Sequence, residues 1–273
     1  RLSEGMLLEK LFEQAVKPIN NTYDGIYNVN EENIFAPNGT KSLLSSGVNE
    51  IIRSEDFKLW FGDWVNAYKF KGLDEALFNV SKVISENGEP QVVWHGTGKP
   101  FSYFKFDKFP ATYFAQNREY AQFFANLQAK DGVGFIVPFF LNIKNPLDLT
   151  RFGIDNVQGS VFFNEIFLQT GFNEQQLNVR PQFLDKDNPP LPTWRYIRNN
   201  PAMLEALKQS KLFDGIIFYE HNPNIQPSNK LQYSTKAYII FDANNAKIAD
   251  PNRGDVMLAS LRSFQLKKGG KIK

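Results

Sequence analysis

The sequence predicts a mixed α+β domain, and three observations carry that expectation. Short β-rich runs lie both before and after a helix-patterned stretch, the arrangement of an α+β fold rather than of regularly alternating units. No internal repeat period or extended low-complexity tract interrupts the chain. A chain of 273 residues is also long enough to bury roughly 75% of its unfolded surface, so a core can form without staples.

The elements follow in chain order. Ser3 is placed to cap a helix whose apolar positions Leu7, Leu8, Leu11, Phe12, Ala15 and Val16 recur at helical spacing until Pro18. From Asn20 to Gly47 the chain turns rich in Asn, Ser and Gly, the composition of an irregular connector. Ser54 then caps a second helix in which Phe57, Trp60, Phe61 and Trp64 share one apolar face. Two β-rich runs, Val80 to Ile84 and Gln91 to Trp94, flank Asn87-Gly88 and read as a hairpin whose second strand delivers His95. Further strands are expected at Phe135 to Ile143, Gly215 to Tyr219, Tyr238 to Phe241 and Lys247 to Ala249. Helical pieces around Val161 to Leu168 and Pro201 to Leu207 form an insertion over about 147–212. The expected division is 1–50 as N-terminal helix and connector, 51–252 as the main domain, and 253–273 as a tail.

Composition excludes several chemistries. The chain has no cysteine, which removes disulfides, thiolate metal sites and cysteine nucleophiles. His95 and His221 are its two histidines, too few for a nitrogen-rich metal centre, so no metal is expected. No apolar run approaches the roughly 20 residues that span a bilayer. Net charge is +2, and the tail carries six basic residues against Asp255. The rest is therefore slightly acidic and gives no global pull toward nucleic acid. A start at Arg1 without a charged-then-apolar leader reads as a processed product or an excised piece. Phosphate-loop, dinucleotide-fingerprint, serine-hydrolase, zincin and kinase patterns are all missing.

What remains is Trp94-His95-Gly96-Thr97 at a strand end, then Thr112-Tyr113-Phe114-Ala115, then a helix-like run with Tyr120, Ala121 and Phe124. A strand-end histidine beside glycine can present a ring nitrogen to a ligand hydroxyl while the glycine admits a ligand amide to the backbone. Tyr113 and Phe124 are suited to sandwich a flat cationic heteroaromatic ring such as oxidised nicotinamide.

These segments resemble the His-Tyr-Glu clade of ADP-ribosyltransferases, the group of the poly(ADP-ribose) polymerases and diphtheria toxin, and most of all the version found in phage polyvalent proteins. In that group an aromatic-His-Gly-Thr/Ser strand precedes an aromatic-Phe-Ala/Thr strand and then a helix whose aromatic lies eleven residues on, as Phe124 lies from Tyr113. Phe57 to Trp64, Gly88-Glu89-Pro90, Asn142 to Pro146 and Phe213 to Ile217 resemble it too. The resemblance implies a split β-barrel of two antiparallel sheets, with N-terminal helices and a helical insertion. It implies NAD as substrate and transfer of ADP-ribose to a macromolecule with release of nicotinamide; single transfer is expected over polymer formation because elongation makes extra demands on the site.

It further implies that His95 binds the adenine-side ribose, that the Gly96 backbone holds the carboxamide, and that Tyr113 and Phe124 stack on nicotinamide. Thr97, Phe114, Tyr120 and Ala121 complete the implied NAD site. The third member of the clade is a glutamate directly before the aromatic of a Glu-Tyr-Ile-Val strand; here Ala237 precedes Tyr238. Alanine cannot stabilise the cationic sugar as nicotinamide leaves, so the chain is expected to be disarmed by a substitution at this position. The alternative is a non-catalytic module that binds NAD or ADP-ribose, or one associated with the virion. Glu220 is read as an exposed loop carboxylate and is no candidate. No Glu-x-Glu pair appears, Thr235 standing at its first position, so arginine modification is less supported. Acceptor, oligomeric state and localisation are left open.

Overall fold

The computed structural model describes residues 34–70, 79–99, 101, 104, 106, 109–130, 132–221 and 234–251. The expected helix at Ser3 to Val16 and the basic tail lie outside them. The chain divides into two units, one made of Arg1–Phe104, Gln122–Asn142 and Ala246–Lys273, the other of Lys105–Ala121 and Ile143–Asn245.

The first unit opens with three short helices, α1 (Ser46–Arg53), α2 (Glu55–Phe61) and α3 (Trp64–Lys69). The Ser45 side chain accepts from the Val48 amide, so α1 starts inside the stretch expected to be connector. Ser54 caps α2 as expected, its oxygen accepting from the Phe57 amide at 3.2 Å. The single helix expected across Phe57 to Trp64 is broken at Gly62. Its φ is 104°, and a Cβ there would stand 2.6 Å from the Val80 Cα, so only glycine brings these backbones together. Asp63 restarts the chain by accepting from the Asn66 amide. Trp64 is thereby buried on α3, its Nε1 donating to the Ile52 carbonyl at 3.0 Å. Phe57 stacks on Phe61 at 5.1 Å and meets Phe140 edge-on at 5.2 Å.

The expected hairpin is reduced to an Ile84–Pro90 bridge around the turn, and the following strand, β1 (Val93–Thr97), begins later than its sequence pattern indicates. Pro90 sits at a pair whose own amides are not used, the flanking bonds running from the Ser85 amide to the Glu89 carbonyl at 2.9 Å and from the Gln91 amide to the Val83 carbonyl at 3.0 Å. β1 pairs antiparallel with β3 (Phe135–Leu141), Trp94 facing Pro138 and His95 facing Val137. β3 pairs in turn with β9 (Ala246–Ile248) through Phe139 and Ile248.

The second unit contains β2 (Thr112–Ala115), β4 (Pro146–Asp148), β7 (Gly215–His221) and β8 (Ser234–Ile240) in the order β4-β7-β8-β2. β7–β8 and β8–β2 are antiparallel. β4–β7 is parallel, Pro146 facing Gly215, which corrects the expectation of purely antiparallel sheets. A parallel neighbour needs a long crossover, and the insertion supplies it. That insertion holds α5 (Gly159–Thr170), α6 (Thr193–Arg198) and α7 (Pro201–Ser210), with a two-stranded ribbon of β5 (Asn156–Val157) and β6 (Leu191–Pro192).

One face of this ladder is buried under the helices: Ile216 and Phe218 of β7, Ala237 and Ile239 of β8 and Ala111 before β2 pack with Phe162, Phe163, Ile166, Ile197 and Leu204. Phe162 stacks on Tyr196 at 4.9 Å, and the Tyr196 hydroxyl donates to the Val157 carbonyl at 2.9 Å. Much of the abundant phenylalanine therefore serves packing. Asp214 fixes the end of the crossover by accepting from the backbone amides of Lys144 and Asn145, at 2.7 Å and 3.1 Å. One helix, α4 (Arg118–Gln128), has its first turn in the second unit and the remainder in the first. Among the described residues no helix is long and apolar enough to cross a membrane.

Candidate active site

In the first unit, His95 stands one residue before the glycine of β1 and is half-buried. Two phenylalanine rings meet its imidazole edge-on, Phe101 at 5.3 Å and Phe104 at 5.2 Å, and the pair are themselves 5.0 Å apart. The ring is thus held in orientation by aromatic walls. Gly96, opposite Ile136, is half-buried as well. The Thr97 hydroxyl donates to the Lys99 carbonyl at 2.9 Å, which commits that side chain to shaping the turn after β1. A Cβ on Gly98 would collide with the Gln128 carbonyl, so the end of β1 approaches the end of α4 closely. Phe124, on α4, is half-buried and meets Phe123 edge-on at 5.4 Å.

In the second unit the β2 register places Tyr113 opposite Ile239, Phe114 opposite Tyr238 and Ala115 opposite Ala237. Side chains alternate between faces along a strand, so Tyr113 and Ala115 share the face of Ala237 while Phe114, only 2% exposed, belongs to the opposite one. The Tyr113 ring lies 6.0 Å from that of Phe109. Asn117 caps α4, its side-chain oxygen accepting from the Tyr120 amide at 2.9 Å, and the Asn117 amide donates to the Thr235 hydroxyl at 3.0 Å. These two bonds tie the start of α4 to the start of β8, and Tyr120 and Ala121 are both buried.

Glu220 is the residue whose placement departs most from expectation. The strand continues past Tyr219 to His221, so Glu220 belongs to β7 and stands opposite Thr235. It lies on the same face as Ile216, Phe218, Ala237 and Tyr113 and is mostly buried, which corrects its reading as an exposed loop carboxylate. The Tyr120 hydroxyl is electrostatically coupled to it. Burial pushes its carboxyl from 4.5 up to about 7, with the polar Tyr120 hydroxyl and the Arg198 charge pulling back. Burial and the Glu220 charge raise both Tyr113 and Tyr120; for Tyr113 the Arg198 guanidinium opposes them. Tyr113, Tyr120, Glu220 and Arg198 therefore form one electrostatically coupled group within the second unit.

Glu220 and Arg198 escape a motif-based reading. A signal for Glu220 existed all the same: it continues the every-second-residue pattern of the apolar Ile216 and Phe218. No comparable signal marks Arg198, which reaches the group from α6.

Ala237 is 1% exposed and flanked in register by Ala115 and Phe218. A face with an acid, two phenols, a guanidinium and two neighbouring methyls can accept protons from sugar hydroxyls and stabilise positive charge.

The chain belongs to a family described as ADP-ribosyltransferase in polyvalent proteins, whose model matches residues 85–256. The activity at family level is NAD-dependent ADP-ribosyl transfer. The matched span holds His95, Tyr113, Tyr120, Phe124, Glu220 and Ala237. No curated protein and no solved structure matches the chain.

Proposed function

We propose that this chain takes ADP-ribose from NAD and transfers it once to a macromolecular acceptor, releasing nicotinamide. The observation that carries the reading is the family match over 85–256, a span that includes the His95 strand, the Tyr113 strand and the helix of Tyr120 and Phe124. The split-barrel arrangement and a transferase domain over 51–252 remain part of the proposal. His95 and the Gly96 backbone hold the dinucleotide by a ribose hydroxyl and the carboxamide. Tyr113 and Phe124 stack on the pyridinium ring, and Thr97, Phe114, Tyr120 and Ala121 shape the surroundings. Single transfer is preferred because elongation would require the site to bind a polymer end as acceptor as well.

In the reaction the bond between the ribose C1′ and the pyridinium nitrogen breaks, and its electron pair leaves with neutral nicotinamide. A lone pair of the acceptor forms the new bond to C1′, and the acceptor's proton passes to a base or to water. Positive charge accumulates on the sugar between these events, and a preorganised anion there contributes about 100- to 1,000-fold in rate. Ala237 contributes no such anion. Its presence disarms the site only if no other carboxylate faces the same ribose.

The test of NAD binding is calorimetric titration of the parent chain, His95→Ala and Tyr113→Ala. Losing one ribose hydrogen bond or one stacking wall costs about 1–1.5 kcal/mol, so each variant should bind roughly tenfold more weakly. Unchanged affinity in both would remove these residues from the site.

A further inference from the structure

The buried face of the second unit carries one carboxylate that the sequence motifs do not account for. Glu220 stands directly opposite Thr235 and is therefore the diagonal neighbour of Ala237 on the adjacent strand. Diagonal positions on one face lie about 7–8 Å apart at Cα, within reach of a long side chain. Thr235 stands directly in front of Glu220, and on the diagonal toward β2 the row is low, made of the methyls of Ala237 and Ala115. The Tyr120 hydroxyl is the polar group on α4 that acts on the carboxylate and favours its ionised form. Tyr120 is itself fixed by the Asn117 cap, which is tied to Thr235. The acid is thus oriented by α4 on the face that bears Tyr113.

Resting on the transfer reaction proposed above, we infer that Glu220 supplies from β7 the carboxylate that position 237 lacks, accepting a hydrogen bond from the nicotinamide-ribose 2′-hydroxyl and stabilising the cationic sugar as nicotinamide departs. Tyr120 is its positioning residue. The small side chain at 237 is then a requirement of this arrangement, since a longer one would occupy the space through which Glu220 reaches the ribose. In the transfer itself Glu220 stays ionised while the C1′ to nitrogen bond breaks, and it can receive the proton released by the acceptor. A carboxyl titrating near pH 7, as burial makes this one, suits both tasks. The groups acting on it are Tyr113 from β2, Tyr120 from α4 and Arg198 from α6. From β8 it faces Thr235 and Ala237, which do not titrate.

The experiment uses the full chain and NAD labelled in the nicotinamide, and it reads nicotinamide release beside NAD affinity and the unfolding midpoint. The inference expects the parent to release nicotinamide above the enzyme-free background. Glu220→Gln should be slower by at least about 100-fold, with NAD affinity and unfolding midpoint no worse than the parent's. Tyr120→Phe should retain turnover but move the midpoint of its pH–rate profile upward from that of the parent, because the hydroxyl that favours the ionised carboxylate is gone. Parent-level release from Glu220→Gln overturns the inference and leaves the transfer reaction standing. A parent that binds NAD but releases nothing, beside an active Ala237→Glu, overturns it too and restores the expectation of a disarmed site. Failure of the parent to bind NAD removes both the inference and the function on which it rests.

Discussion

The burial that raises the Glu220 carboxyl also makes folding depend on pH. Its carboxyl is raised from 4.5 to about 7 in the folded chain. The folded state therefore binds more protons than the unfolded one between these values. The stability contributed is complete below about pH 4.5 and is lost as pH rises through 7. Glu220→Gln removes that dependence, and at pH 8 it should be more stable than the parent by about 1–3 kcal/mol, allowing for the residual exposure of the group. Denaturant melts of both chains at pH 5 and pH 8 check this: the difference should be large at pH 8 and shrink to a small part of that at pH 5. Equal stability at both pH values would mean the carboxyl titrates like an exposed one. A variant that gains stability and loses turnover is the signature of a functional group kept under strain, not of a structural one. Ala237→Glu works in the opposite direction. It would place a second carboxylate diagonally from Glu220 in a position only 1% exposed, and it should lose roughly 1–3 kcal/mol at neutral pH.

The helices show how local chemistry and tertiary packing divide the control of elements. Gly62 separates α2 from α3 because its backbone has φ 104° and lies against Val80. Gly62→Ala should cost about 2–4 kcal/mol in denaturant unfolding, combining the unfavourable φ with the collision; a cost under about 0.5 kcal/mol would show that the break tolerates a side chain. The apolar spacing of Phe57, Trp60, Phe61 and Trp64 gives no sign of this break, since the same four residues face the interior of the unit on one helix or two. By contrast, the Ser54 cap, the strand through Phe135 and the helices after Gly159 and Pro201 were legible, because a capping side chain, a β-rich run or a proline at the first turn acts locally. The hairpin before β1 was legible as a turn but not in its length, since the runs on either side of Asn87-Gly88 pair at only one bridge. The strands that carry His95 and Tyr113 were readable from their motifs. Glu220 was not, because the composition around it turns loop-like, and only pairing with Ser234 to Lys236 carries the strand to His221.

The whole chain combines a near-neutral charge with a family whose substrate, NAD, is anionic. Binding of NAD must then come from stacking and a few placed donors rather than from a basic field, so its affinity should depend weakly on salt. A titration from 50 to 300 mM salt should change the affinity by less than about fivefold; a steep decline would point to charge steering by groups other than those named.

In the proposed reaction NAD is opened and its ADP-ribose moved to an acceptor. Incubation of the parent chain with adenylate-labelled NAD in a cell extract, followed by separate protease and nuclease digestion, reads this out. Label should be found attached to a macromolecule that one of the two digestions releases, and no such label with Glu220→Gln. Background labelling by the parent and by Ala237→Glu alike would contradict it.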